Sequence, residues 1–553
     1  MNRSSRSLPD DKVDGPATVG AASGSEAPAR RRIDPPYFPI VYVRGYAMTA
    51  AEREQVFHDA YYGFAATSVE KRQAPKPRYF EADIFEGQLI RLLKEHGYAD
   101  ATNQGLAACA TPERSIWISR FYDQDFFQEK ARAIEDHAED LCTLILDEIP
   151  RRLTDCGVDC SNYQVILVAH SMGGLVCRAM LQKTLPKGDR TAKSVIHRLV
   201  TMATPHRGIE LGAIPNLIQH EVLNLFDPFG ASIFDETTMR QYLNLEKKDS
   251  EGKYIYDVHS LGPADFPIER CLCMIGSDYQ SYDIVRKATG GFSDGLVKQD
   301  RAYLVSGARS ERTVPRADNP EPDYPETRQA FYANVHRAHS GFRGIVNSYE
   351  SYENLQRFLF GDVIFRLSLE EIELRTRQQP GFRDFYDLEF TFSIRGTGSY
   401  LHRRQQTPCE NAIRVNADGG QFPKVLHLHT GFFNTRLRQT SDPYSNFLLT
   451  FRVVQRRVQE GIIHLFDQEY PERQIYNEAL EARVGEASLG PKMVQYRWLS
   501  DLDGAPDQST WTDVPITGRT FRLKLRDANA LDATLVLQVA PWPEPGAASI
   551  QRP

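Results

Sequence analysis

Short apolar runs alternate with helical stripes through the first two thirds of the chain, and that alternation predicts its architecture. Residues 164–168, Gln164 followed by four apolar residues, form a short apolar run rich in β-branched side chains, as a strand buried on both faces requires. Leu175, Val176, Ala179, Met180 and Thr184 then recur at helical spacing. Residues 40–43, 115–119, 195–202 and 270–276 read as further strands, and 302–305 as a strand-like piece. Between them, 83–98 is amphipathic, with Ile84, Leu89, Leu92 and Leu93 on one side. A longer stripe over 128–149 runs through Ala131, Ile134, Ala138, Leu141, Ile145 and Ile149, and Pro150 is its natural stop. A last helix is predicted over 349–360. Strands alternating with helices give an α/β fold, a doubly wound and mostly parallel sheet, whose ligands bind outside the carboxyl ends of the strands.

The period falls to two after Gly361 and Asp362. Residues 388–394, 447–454, 462–466, 521–525 and 535–539 read as half-buried antiparallel strands, which together predict an all-β sandwich. The expected organisation is a disordered tail over 1–33, an α/β catalytic domain over 34–361 and a β-sandwich domain over 362–545. Within the second part, residues 209–265 carry apolar side chains (Leu223, Leu225, Phe226, Phe229, Ile233 and Phe234) without regular alternation.

Composition narrows the function classes. A length of 553 residues exceeds one ordinary core, which agrees with two domains. The net charge of −7 argues against nucleic-acid binding as the main task. Neither a membrane-spanning run nor the apolar core of a signal peptide is found, so the expected compartment is the cytoplasm, with export by an unadvertised route as the alternative. The eight cysteines form no paired Cys-x-x-Cys sets and read as free thiols in a reducing compartment; no metal or cofactor is expected.

The chemistry centres on Ala169-His170-Ser171-Met172-Gly173, between the strand and the helix. It is a variant of Gly-x-Ser-x-Gly, in which a sharp turn lifts a serine above the sheet and tolerates only small residues two before and two after it. A serine hydroxyl needs a base and an acid to orient that base, and in a fold built on such an elbow they follow the serine along the chain in the order acid, then histidine. His339 is favoured as the base over His336, because it lies nearer the entry to the last helix. Asp294, in Ser293-Asp294-Gly295-Leu296-Val297, is the best acid, with Asp278 the runner-up. His170 is expected to pack and hydrogen-bond, and His206 could line the pocket. Two backbone donors would hold an oxyanion: the N–H of Met172, at the helix start, and the N–H of Tyr46, after Gly45.

With these residues laid out, residues 37–361 resemble the α/β-hydrolase superfamily, in its lipase and serine-esterase branch. The motifs are Val43-Arg44-Gly45-Tyr46, the elbow at 169–174, Ala203-Thr204-Pro205-His206-Arg207-Gly208, Ser293-Asp294-Gly295-Leu296-Val297 and His339-Ser340-Gly341. The resemblance implies nucleophile Ser171, acid Asp294 and base His339. It also implies a lid role for 209–265. Arg44 stands where the family usually has histidine. The expected function is hydrolysis of carboxylic esters, lipid-like ones, through an acyl-enzyme. The alternative is a non-catalytic hydrolase-fold scaffold that recruits a partner, lipid or glycan. A peripheral membrane or protein contact through the β domain is the expected partner surface.

Overall fold

The computed structural model describes residues 31–45, 68–73, 80–85, 87–101, 112–119, 132–185, 192–209, 231–262, 266–280, 292–312, 324–340, 343–374, 382–416, 425–437, 444–459, 468–469, 472–485, 494–501, 511–514, 516–517, 519–525 and 531–542. Seven strands of the first part make one sheet: β1 (Ile40–Val43), β2 (Ala99–Asp100), β3 (Ser115–Ser119), β4 (Val165–His170), β5 (Ile196–Met202), β6 (Cys271–Gly276) and β7 (Phe331–Val335). Their order across the sheet is β7-β6-β5-β4-β1-β3-β2, and every pairing is parallel.

Every residue of β1 and β4 is buried, so both faces of the sheet are covered. One cover is α2 (Ile134–Thr143) packed on α3 (Met172–Ala179). Another pairs α1 (Gln88–His96) with α4 (Tyr349–Phe360): Tyr352 Oη donates to Glu95 at 2.6 Å, and Arg91 lies 4.5 Å over the Tyr349 ring. This is the doubly wound α/β arrangement that the apolar pattern predicted. No helix among the described residues is long and apolar enough to cross a membrane.

Several predicted elements differ. Pro150 does not stop its helix. A π-type turn at Leu144–Glu148 follows α2, and a helix resumes over Ile149–Asp155 with the proline in its first turn, where a missing N–H costs nothing. Residues 83–85 belong to a strand, Phe80–Phe85, paired with Ser68–Gln73, and the helix starts only at Gln88. Residues 302–305 make no strand; Val305 forms isolated bridges to Ser260 and Gln329. Strand β7 has no clear apolar pattern in the sequence, because it follows a Pro-rich loop and carries Asn334 among its aromatics. The expected tail is ordered from Arg31, where Arg31–Arg32 pairs in parallel with Val158–Asp159 and Ile33 is buried. Residues 1–30 lie outside the described residues.

After residue 361 the chain is antiparallel. One sheet runs β11-β8-β16-β15, from β8 (Val363–Leu374), β11 (Val425–Phe433), β15 (Thr520–Lys524) and β16 (Leu531–Pro541). The other is built on β9 (Phe382–Ile394), β10 (Ile413–Asn416), β12 (Ser445–Gln459), β13 (Arg473–Val484) and β14 (Val494–Trp498). Alternate residues of β12, Phe447, Leu449, Phe451 and Val453, are buried, as a two-residue period requires. Between the sheets the Phe365 ring lies 4.9 Å from Phe392 and 4.6 Å from Phe433. Asp387, on the outer side of β9, is held by Arg414 at 2.8 Å and Arg456 at 2.7 Å. Residues 462–466 lie outside the described residues.

Trp542 follows the last strand of this second core but packs on the first. Its ring is 4.7 Å from Phe432 and 5.8 Å from Phe331, Arg198 lies 4.4 Å over it, and its indole N–H donates to Phe358 O at 3.1 Å. Trp542→Ala removes all of these, and urea unfolding is expected to register a loss of about 3 kcal/mol.

Candidate functional site

Ser171 stands between β4 and α3 with φ 52° and ψ −128°, a left-handed backbone that a side chain other than glycine's adopts at a cost. The surroundings impose it. A Cβ on Gly173 would meet Val43 O at 2.3 Å and Arg44 O at 2.7 Å, so the exit of β1 presses directly on the elbow. One on Gly174 would meet Thr204 Oγ1 at 2.2 Å, and one on Gly45 would meet the Ser171 Cβ at 2.8 Å. Glycine is thus required at 173 and 174, by backbone approach from β1 and by Thr204 in the turn after β5. Ser171 itself is half-buried.

The base comes from the loop that leaves β7, and the acid from the loop over 292–299, farther along the chain from β6. His339 is 3% exposed, and its Nε2 lies 2.9 Å from Ser171 Oγ. On its other side Nδ1 lies 2.9 Å from Asp294 Oδ2. One tautomer satisfies both contacts: Nδ1–H donates to the carboxylate, and Nε2 accepts from the hydroxyl. Asp294 is 1% exposed, yet its second oxygen is also satisfied, by the N–H groups of Leu296 at 3.0 Å and Val297 at 2.7 Å. The His339 N–H donates to Asp294 O at 2.9 Å, which locks the two loops together. The hydroxyl, imidazole and carboxylate form a continuous hydrogen-bonded chain, which can carry a proton away from the hydroxyl.

The alternatives lie elsewhere. His336 Nδ1 is 3.3 Å from Ser277 Oγ, and with Asp278, Arg337, Arg343, Glu350, Tyr400 and Arg403 it lines a polar pocket of about 200 Å³. Burial pushes its imidazole below the usual histidine range. His206 does not line the active face. It is fully buried, 3.1 Å from Thr201 Oγ1, and burial lowers its pKa well below the ordinary value. The turn at Thr204-Pro205 folds it inward, and the Arg178 guanidinium fixes its carbonyl at 3.0 Å.

Met172 opens α3, so its amide has no carbonyl one turn back to bond within the helix. Tyr46, the other expected oxyanion donor, lies outside the described residues. So do residues 210–230, where the lid was expected. The described remainder of that segment is anchored: Arg178 of α3 donates to Val258 O and Ser260 O, both at 2.8 Å, while Met239, Tyr242, Leu243 and Leu245 are buried.

His170 packs and hydrogen-bonds, as its place in the elbow suggested. Its pKa is held well below the ordinary value, by burial first and by the neighbouring His339 second, so the ring is neutral. Its Nε2–H then donates to His339 O at 2.9 Å, which tethers the base loop to the elbow strand. Its place beside the serine was the only signal in the sequence, because its partner is 169 residues away. Among the described residues no cluster of three His, Cys, Asp or Glu could hold a metal.

Residues 107–248 match the family described as "PGAP1-like alpha/beta domain", a stretch that contains the elbow. Among solved structures the chain is similar to phospholipase PlaB from Legionella pneumophila, at 12% identity over 86% of this chain and 100% of that one, with a TM-score of 0.33. It is also similar to the lin2722 gene product from Listeria innocua, at 12% identity over 58% of this chain and 93% of that one, with a TM-score of 0.28. No curated protein matches the chain.

Proposed function

We propose that this chain, whose first part has an α/β-hydrolase-type fold, cleaves carboxylic esters of a lipid-like kind through an acyl-enzyme. The observation that carries the reading is the pair of 2.9 Å contacts from Ser171 Oγ to His339 and from His339 to Asp294. Ser171 Oγ attacks the acyl carbon and its proton passes to His339 Nε2. Asp294 keeps the imidazole in the accepting tautomer and stabilises the imidazolium. The oxyanion is held by the N–H groups of Met172 and Tyr46. Collapse expels the alcohol, which takes the proton from His339. A water, deprotonated by the same imidazole, then releases the acid.

The lipid-like substrate is supported by the apolar side chains of the 209–265 segment, which carries Leu223, Leu225, Phe226 and Phe229. A reducing compartment, the cytoplasm, is supported by the described cysteines, all of which are free thiols. Fluorophosphonate labelling, followed by hydrolysis of esters of graded acyl length, tests the function. Labelling at Ser171 with turnover that rises with chain length is expected. A folded protein that neither labels nor hydrolyses would leave the scaffold reading in its place.

A further inference from the structure

We infer that the C-terminal β region positions the acid of the site, with Glu410 as the positioning residue; this rests on the serine-hydrolase reading above. Asp294 sits in a loop that closes on itself. Ser293 bridges to Lys298, the Gln299 N–H donates to Phe292 O at 2.8 Å, and the Asp294 N–H donates to Val297 O at 3.2 Å. Such a loop moves as a unit, and its orientation is set by whatever holds its two ends. Both ends are held by consecutive residues of the β region. At the first end, the Phe292 N–H donates to the Glu410 carboxylate at 2.7 Å. At the other, buried Gln299 donates its side-chain N–H to Cys409 O at 2.9 Å.

The bracket that carries these two residues is itself braced. Asn411 Oδ1 accepts the Gln405 N–H at 2.8 Å, its side-chain amide donates to Arg403 O at 3.1 Å, and fully buried Arg404 donates to Asn411 O at 3.0 Å. Tyr279, just past β6, adds its hydroxyl to the Glu410 carboxylate at 3.3 Å. Phe292 and Glu410 face each other with φ of 59° and 52°, a backbone disfavoured for both residue types and kept where surrounding contacts dictate it. Some ties between the two regions lie away from the acid loop. Asn354, for example, donates to Leu401 O at 2.8 Å from α4. Glu410 therefore does something that general adhesion between the regions does not: it sets where the Asp294 carboxylate meets His339.

The test uses the full chain and reads the rate of fluorophosphonate labelling at Ser171 together with kcat and KM. Misplacing a catalytic group by a fraction of an ångström to 1 Å costs up to about a hundredfold, so Glu410→Ala is expected to lower labelling and kcat by about tenfold. KM is expected to stay within about twofold, because an interaction that acts on the transition state alone lowers kcat. Glu410→Gln keeps an oxygen for the Phe292 N–H and is expected to recover to within about threefold of the wild type. Asn354→Ala, which cuts a tie remote from the loop, is expected to leave both constants unchanged. An unchanged rate in Glu410→Ala, a loss in Glu410→Gln as deep as in the alanine variant, or a raised KM at constant kcat would each overturn the inference. Where Glu410→Ala does not fold, Gln299→Leu releases the other end of the loop, and an unchanged rate there overturns it equally. A wild-type protein that does not label is a different result: it removes the serine-hydrolase reading on which this one stands.

Discussion

Ser171→Ala is expected to abolish ester hydrolysis and fluorophosphonate labelling while leaving the fold intact. Loss of a serine nucleophile from a site of this kind costs on the order of 10⁴- to 10⁶-fold in kcat. The substitution is well suited to the test because, among the described residues, the hydroxyl bonds to His339. The backbone of the elbow is fixed independently, since the Ser171 N–H donates to Met202 O at 2.9 Å and the Gly174 N–H donates to Ser171 O at 3.0 Å. Alanine keeps the Cβ that Gly45 approaches, so the β1 exit has no reason to move. Thermal unfolding should therefore be nearly unchanged. Full activity in Ser171→Ala would end the acyl-enzyme mechanism outright.

The second large effect separates two aspartates. Asp294→Asn is expected to reduce kcat by about 10⁴-fold, because an amide facing Nδ1 favours the tautomer that puts the proton on Nε2, where it can no longer accept one from the serine. Asp278 offers the contrast. Its amide donates to Arg337 O at 3.1 Å, and its side chain lines the pocket with His336, away from the 2.9 Å contact between His339 and Asp294. Asp278→Asn is expected to keep kcat within about threefold. Steady-state kinetics on one ester, with both variants side by side, decides the assignment. The opposite ranking would move the acid from the end of loop 292–299 to the end of β6.

The elbow was legible in the sequence because several independent physical demands coincide there. A buried strand, a residue without room for more than hydrogen or methyl, a serine and the start of a helix all fall within about ten positions. The two motifs carrying His339 and Asp294 could be placed by chain order, and the structure brings those two side chains to Ser171. Other parts were hidden for definite reasons. Strand β13, Arg-Gln-Ile-Tyr-Asn-Glu-Ala-Leu-Glu-Ala-Arg-Val, is rich in Ala, Leu and Glu, and its local preference is for helix; it becomes a strand because β12 and β14 flank it. Pro150 was read as a stop because a π-type turn ahead of it leaves no mark in apolar spacing. The tethering contact of His170 and the bracket at Glu410 join residues 169 and 118 positions apart, which no local pattern encodes.

Trp542 carries a last consequence. It is the residue after the strand that completes the antiparallel core, yet its indole is clamped among rings of the parallel one. Loosening on either side deprives that indole of its neighbours and is felt on the other side. The two hydrophobic cores are therefore not separate thermodynamic units, and the energy that orders the antiparallel half also helps keep the reactive half assembled.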